Sequence, residues 1–117
     1  SGFGLALHLN NLLIRNPKFK GADIFLNKIL MLDGAKEAMN KNVISSLTHS
    51  NKSSIINSLE IKCKFKKYSN ILFDPQTAGG FLFITQSTEI IKDFKKYNIL
   101  ISEIGKISEI HNKIRVL

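Results

Sequence analysis

One cysteine, Cys63, stands in 117 residues, so no disulfide can close within the chain and a disulfide-scaffolded secreted domain is excluded. No apolar run approaches the roughly 20 residues that cross a bilayer. No signal peptide is expected before Ser1. The chain is therefore read as a cytoplasmic domain without membrane contact. It opens on Ser1-Gly2-Phe3-Gly4 with no methionine, and is expected to be a fragment of a longer protein. Arginine is scarce: of 17 basic residues only Arg15 and Arg115 are arginine. The net charge of +8 raises the question of nucleic acid, yet base-edge readout and bidentate phosphate grip favour arginine over lysine. The dense run Lys62-Cys63-Lys64-Phe65-Lys66-Lys67-Tyr68 alternates like a strand edge with one wetted face. Lys, Ile and Asn together supply 43 residues, a bias spread over the surface rather than a binding patch. No nucleic-acid partner is expected.

What is present suffices for one domain. A chain this size buries roughly two-thirds of its unfolded surface and builds a core without staples. Leu5, Leu9, Leu12 and Leu13 form a helical stripe, and Asn16-Pro17 ends it because the residue before proline avoids the helical region. Residues 22–30 alternate as a strand. Asp33 is the expected N-cap of a short helix over 34–39. Residues 43–58 read as loop with one short helix, and 59–68 as a strand or extended edge. The apolar run 81–85 is an expected strand, Thr88 caps a helix over 89–97, and two strands follow over 100–107 and 113–117. This order predicts an α+β sandwich of one mixed sheet with helices packed against it.

Chemistry has few places to sit. Thr77-Ala78-Gly79-Gly80 can point backbone amides together at a phosphate, and the amides of a helix opening at Gly2-Phe3-Gly4 form a second anion site. The alternatives are a tight turn and a flexible helix entry. No P-loop or dinucleotide fingerprint occurs. His8 lies on the leucine stripe and reads as a packing residue. His49 and His111 pair in sequence with neither Cys63 nor a carboxylate, and no metal-ligand spacing is present. Cys63 between lysines reads as inert, and Asp74 has no partner carboxylate. By itself the chain carries no complete catalytic set and no metal site.

The string Leu72-Phe73-Asp74-Pro75-Gln76-Thr77-Ala78-Gly79-Gly80-Phe81-Leu82 resembles the D-P-Q-T-S-G-G-L-L signature of selenophosphate synthetase (selenide, water dikinase). Ser1 to Leu9, Ser-Gly-Phe-Gly-Leu-Ala-Leu-His-Leu, resembles that family's T-G-F-G-L-L-G-H-L. Leu32-Asp33-Gly34-Ala35 is similar to its L-P-G-A, and Ile104-Gly105-Lys106-Ile107 to its I-G-x-V, so the resemblance runs over nearly the whole chain. It implies residues 1–117 as a single C-terminal domain of the aminoimidazole-ribonucleotide synthetase superfamily, a three-layer α/β/α sandwich. It also implies an ATP- and Mg2+-dependent reaction converting selenide and water to selenophosphate, AMP and phosphate. Gly2, Gly4, Thr77, Ala78, Gly79 and Gly80 would line the phosphate cleft. The catalytic residue, the lysine and most Mg2+-binding aspartates of the family lie in an N-terminal domain outside this sequence. The isolated chain is thus expected to be inactive, with that domain as partner and a homodimer as the full-length state. The family's Gly before His8 is Leu7 here, and its signature Ser is Ala78. Its G-G-T-x-x-N is read as replaced by Ser45 to Asn51, with only Asn51 kept. That change resembles a subgroup fused to a flavin-dependent NADH dehydrogenase-like module, and motivates the alternative of a non-catalytic or regulatory relic. Thiamine-phosphate kinases and hydrogenase-maturation proteins of the superfamily lack the D-P-Q-T spelling.

Overall fold

The computed structural model describes residues 2–117, the Cys63 side chain excepted, so Ser1 and the Cys63 thiol lie outside the described residues. The chain opens with helix α1 (Gly4–Arg15). Its buried face is Gly4, Ala6, Leu9 and Leu13, with Leu5 and Leu7 packed partly against the core. Asn16 ends it in an extended conformation (φ −126°, ψ 96°), as Pro17 demands, and donates its N–H back to Leu13 O at 3.1 Å. His8 is exposed rather than packed with the leucines, because the inward stripe is centred on Ala6, Leu9 and Leu13.

Strands β1 (Gly21–Ile24), β2 (Leu59–Ile61), β3 (Gly105–Ser108) and β4 (Ile114–Val116) form one mixed sheet in the order β2-β4-β1-β3. β4 runs parallel to both β1 and β2, whereas β3 is antiparallel to β1. The register places Leu59, Ile114, Ala22 and Ile107 in one row and Ile61, Val116 and Ile24 in the next. Between them runs a charged row, Glu60, Arg115, Asp23 and Lys106. Side chains alternate along a strand, so the apolar rows share one face and the charged row occupies the other. The apolar rows join α1 and the 3-10 turn Tyr68–Phe73 in a single core, where Leu72, Phe73 and Val116 are fully buried. Helices α2 (Ala35–Asn40) and α3 (Thr48–Ser54) flank that turn, and α4 (Glu89–Lys96) follows later. The molecule is an α+β sandwich with one mixed sheet, the class expected. All lysines except Lys52 and Lys113 are exposed, which matches a solvated basic surface.

Several expected elements differ. The strand over 22–30 stops at Ile24, and Leu26–Lys28 forms a 3-10 turn whose i, i+3 geometry buries Leu26 and partly buries Ile29. The edge over 59–68 is strand only to Ile61. Its lysine run coils into a 3-10 turn at Cys63–Phe65 that brings Phe65 to the core, with Lys64 Nζ 4.9 Å from the Phe65 ring centre. Residues 81–85 form no strand. β3 already occupies the β1 edge, and the Phe83 ring instead packs on Phe94 of α4 at 5.7 Å. The strand over 100–107 begins only at Gly105. Asp33 does not cap α2. Gly34, at φ +82°, is the N-cap with no side-chain cap, its left-handed backbone setting the turn. Thr88 precedes α4 in helical geometry, and Ser87 Oγ rather than Thr88 accepts the Glu89 N–H, at 3.2 Å.

Candidate functional site

The two glycine motifs are more than 70 residues apart in sequence, and the tertiary structure brings the first against the root of the second. Gly4 has φ +79°, and a Cβ there would lie 2.7 Å from Leu72 O and 2.8 Å from Phe73 Cα. Only glycine lets the start of α1 approach the backbone that leads into Asp74 so closely. Asn51, 7% exposed on α3, locks this approach. Its Nδ2 donates to Gly2 O at 2.8 Å and to Phe73 O at 2.9 Å, spending both amide hydrogens on two chain segments. Lys52 Nζ, next along α3, lies 5.7 Å from the Phe73 ring centre.

Phe3 is the N-cap of α1 and among the described residues no side-chain cap hydrogen bond closes that end, the kind of helix start whose amides attract anions. Beyond Phe73 the chain leaves the core. Asp74 Oδ2 accepts from Gln76 Nε2 at 2.6 Å, Gly79 N–H points at Gln76 O at 3.4 Å, and Thr77, Ala78, Gly79 and Gly80 are exposed. A Cβ at Gly79 would press on Gln76 Cβ at 2.9 Å, whereas Gly80 has open space around it. Packing therefore explains glycine at Gly4 and Gly79, but not at Gly80.

Thr48 is a second retained motif residue beside Asn51. It stands three positions before Asn51, the spacing of the threonine in G-G-T-x-x-N, and it is 1% exposed. The loop thus keeps Thr48 and Asn51 and lacks the two glycines, which are Ser46 and Leu47 here.

A second polar cluster lies on the charged face of the sheet. Asp23 receives Arg115 Nε at 2.7 Å and an Arg115 terminal nitrogen at 2.9 Å, with His111 Nε2 at 3.1 Å. The Arg115 hydrogen bond holds the Asp23 carboxyl below its usual range, helped by the Arg115 charge and by His111 against the opposing effect of burial. His111, unpaired by sequence spacing, thus finds its carboxylate 88 residues away. The cluster ties β1 to β4 in register and lies apart from the glycine motifs.

No family model matches the chain. Among curated relatives, the selenide, water dikinase of Campylobacter jejuni (strain RM1221) is 36% identical over 110 residues, covering 92% of this chain and 31% of that protein. The selenide, water dikinase of Carboxydothermus hydrogenoformans is 32% identical over 120 aligned positions, covering 99% of this chain and 34% of that protein. A second Campylobacter jejuni selenide, water dikinase is 33% identical over 110 residues. The chain spans about a third of the length of the relatives it matches. With the motifs in the family's order over nearly the whole chain, the sequence is similar to a domain-sized portion of selenide, water dikinases.

Proposed function

We propose that this chain is the C-terminal domain of an ATP-dependent selenophosphate synthetase and closes the phosphate side of its ATP cleft. The parent reaction would convert selenide, ATP and water to selenophosphate, AMP and phosphate in the cytoplasm. The observation that carries the reading is the double hydrogen bond of Asn51, which holds the start of α1 against the root of the Asp74–Gly80 loop. Two sources of backbone amides then share one rigid base. A polyphosphate fits such an arrangement, because fixed N–H dipoles stabilise negative charge without reorganising. Gly2 and Gly4 supply the helix-start contribution. Thr77, Ala78, Gly79 and Gly80 supply the loop, with Gly80 free to let a phosphate approach its backbone.

Mg2+ is a different matter. Among the described residues no group of three His, Cys, Asp or Glu is placed to hold a metal ion, and no step is assigned to magnesium on this chain. Metal ligands and the catalytic residue would come from the N-terminal domain of the full-length protein, which would also form the homodimer. Among the described residues no helix is long and apolar enough to cross a membrane. The loss of the glycine pair at Ser46-Leu47 favours one second reading, a domain retained beside another module without synthetase activity.

Phosphorus NMR of the full-length protein with ATP and Mg2+, with and without selenide, separates the two. Selenide-dependent AMP, phosphate and selenophosphate are expected; intact ATP under both conditions would leave the relic. In the same protein, Gly80→Val should weaken ATP binding by calorimetry while leaving the fold intact, since Gly80 has room for a side chain. Unchanged ATP affinity in that variant would overturn the loop assignment.

A further inference from the structure

The junction locked by Asn51 is poor in positive charge. Residues 2–7 carry no charged side chain, residues 73–85 carry only the Asp74 carboxylate, and α3 carries His49 and Lys52. Backbone N–H dipoles attract an anion but bring no net charge, and a polyphosphate approaching this junction meets Asp74. Lys52 is the lysine that these three segments offer against that repulsion. Lys52 and Lys113 are also the two half-buried lysines of the chain. Lys113 Nζ donates to Asn57 O, whereas Lys52 Nζ makes no hydrogen bond or ion pair among the described residues. Its neighbour is the Phe73 ring, whose centre lies 5.7 Å away, close to the roughly 6 Å limit for a cation over an aromatic face. Such a contact is weaker than a charge-assisted hydrogen bond, so this ammonium gains by meeting an anion. Phe73 is also the residue whose carbonyl Asn51 holds and after which the Asp74–Gly80 loop departs. Successive positions of α3 thus bring an amide to the Phe73 backbone and an ammonium to its ring, and the flexible four-carbon stem can carry that ammonium from ring to phosphate.

We propose that Lys52 is a phosphate-binding residue of the cradle formed by Gly2, Gly4 and residues 77–80, and that its charge favours a triphosphate over a monophosphate nucleotide. The inference rests on the phosphate reading of the two glycine motifs. Selection follows from Coulomb attraction, since one ammonium gains more from the denser charge of a triphosphate.

The test is calorimetric titration of the full-length protein with ATP and with AMP, at low and high salt. Lys52→Met keeps a stem beside Phe73 and removes the charge. It should weaken ATP binding about tenfold or more, the loss of one charge-assisted contact, and AMP binding less than about threefold. The ATP effect should shrink at high salt, and Lys52→Arg should bind ATP within about threefold of wild type. Unchanged ATP affinity in Lys52→Met, or equal losses for ATP and AMP, would overturn the inference. A lowered melting temperature with ATP affinity intact would do the same, leaving Lys52 as a cover for Phe73. Gly80→Val separates the two levels. If it weakens ATP binding and Lys52→Met does not, the cradle stands without Lys52; if neither variant weakens it, the phosphate reading itself falls. Lys52→Gln gives the same readout should Lys52→Met fail to fold.

Discussion

Removing the Asn51 amide should loosen the junction of the two glycine motifs more than any exposed substitution in either motif. In Asn51→Ala two hydrogen bonds, of 2.8 and 2.9 Å, are lost. Each contributes about 1 kcal/mol net. The Phe73 carbonyl is buried and would be stranded, at a further cost of about 1–2 kcal/mol, whereas water can reach the partly buried Gly2 carbonyl. The sum is about 3–4 kcal/mol, a sizeable share of the roughly 5–15 kcal/mol that holds a typical domain together. Urea unfolding followed by circular dichroism should therefore show the midpoint falling by about 1–2 M at unchanged slope. Asn51→Asp distinguishes donation from mere space filling. Its carboxylate has nearly the shape of the amide but cannot donate, so at neutral pH it should destabilise at least as much as alanine. It should recover partly in acid, where a protonated carboxyl can donate to one carbonyl. A loss under about 0.5 kcal/mol in Asn51→Ala would refute the lock and remove the structural basis for joining the two motifs.

Gly4→Ala should destabilise by well over the roughly 1 kcal/mol of a left-handed alanine, because its Cβ also meets the Leu72–Phe73 backbone, while Gly80→Ala should lie within about 0.5 kcal/mol of wild type; paired thermal melts check this. Phe73→Ala, at a fully buried position, should cost about 3–5 kcal/mol in denaturant titrations. Acid should also act through Asp23. Because its carboxyl titrates below the usual 3.8 in the folded chain, its contribution is complete above that value and is lost as pH falls through the lowered one. Asp23→Asn should flatten that part of the stability profile below about pH 4 in acid-unfolding curves, and an unaltered acid limb would refute the role given to Arg115 and His111.

Local physics was enough for part of this molecule. The leucine period and Pro17 dictate α1 and its end, since helix face and proline stop depend only on near neighbours. The spelling of residues 72–82 carried the family, and the wetted lysines followed from composition. The sheet was another matter. Strand lengths depend on which neighbours are available to hydrogen-bond, so 22–30 and 59–68, both long alternating runs, kept only three strand residues each. Residues 81–85 had strand composition, yet pair with no strand, and the Phe83 ring packs on Phe94 of α4. Asn51 and Thr48 look like ordinary polar residues of a loop until the fold buries them, one bonded to two distant carbonyls and the other lacking a partner among the described residues. His111 likewise found Asp23 only because parallel pairing sets β4 beside β1. Residues near in sequence decide the helices and turns, whereas meetings across 22, 49 or 88 residues depend on how the whole chain closes, and on that closure rest the paired motifs.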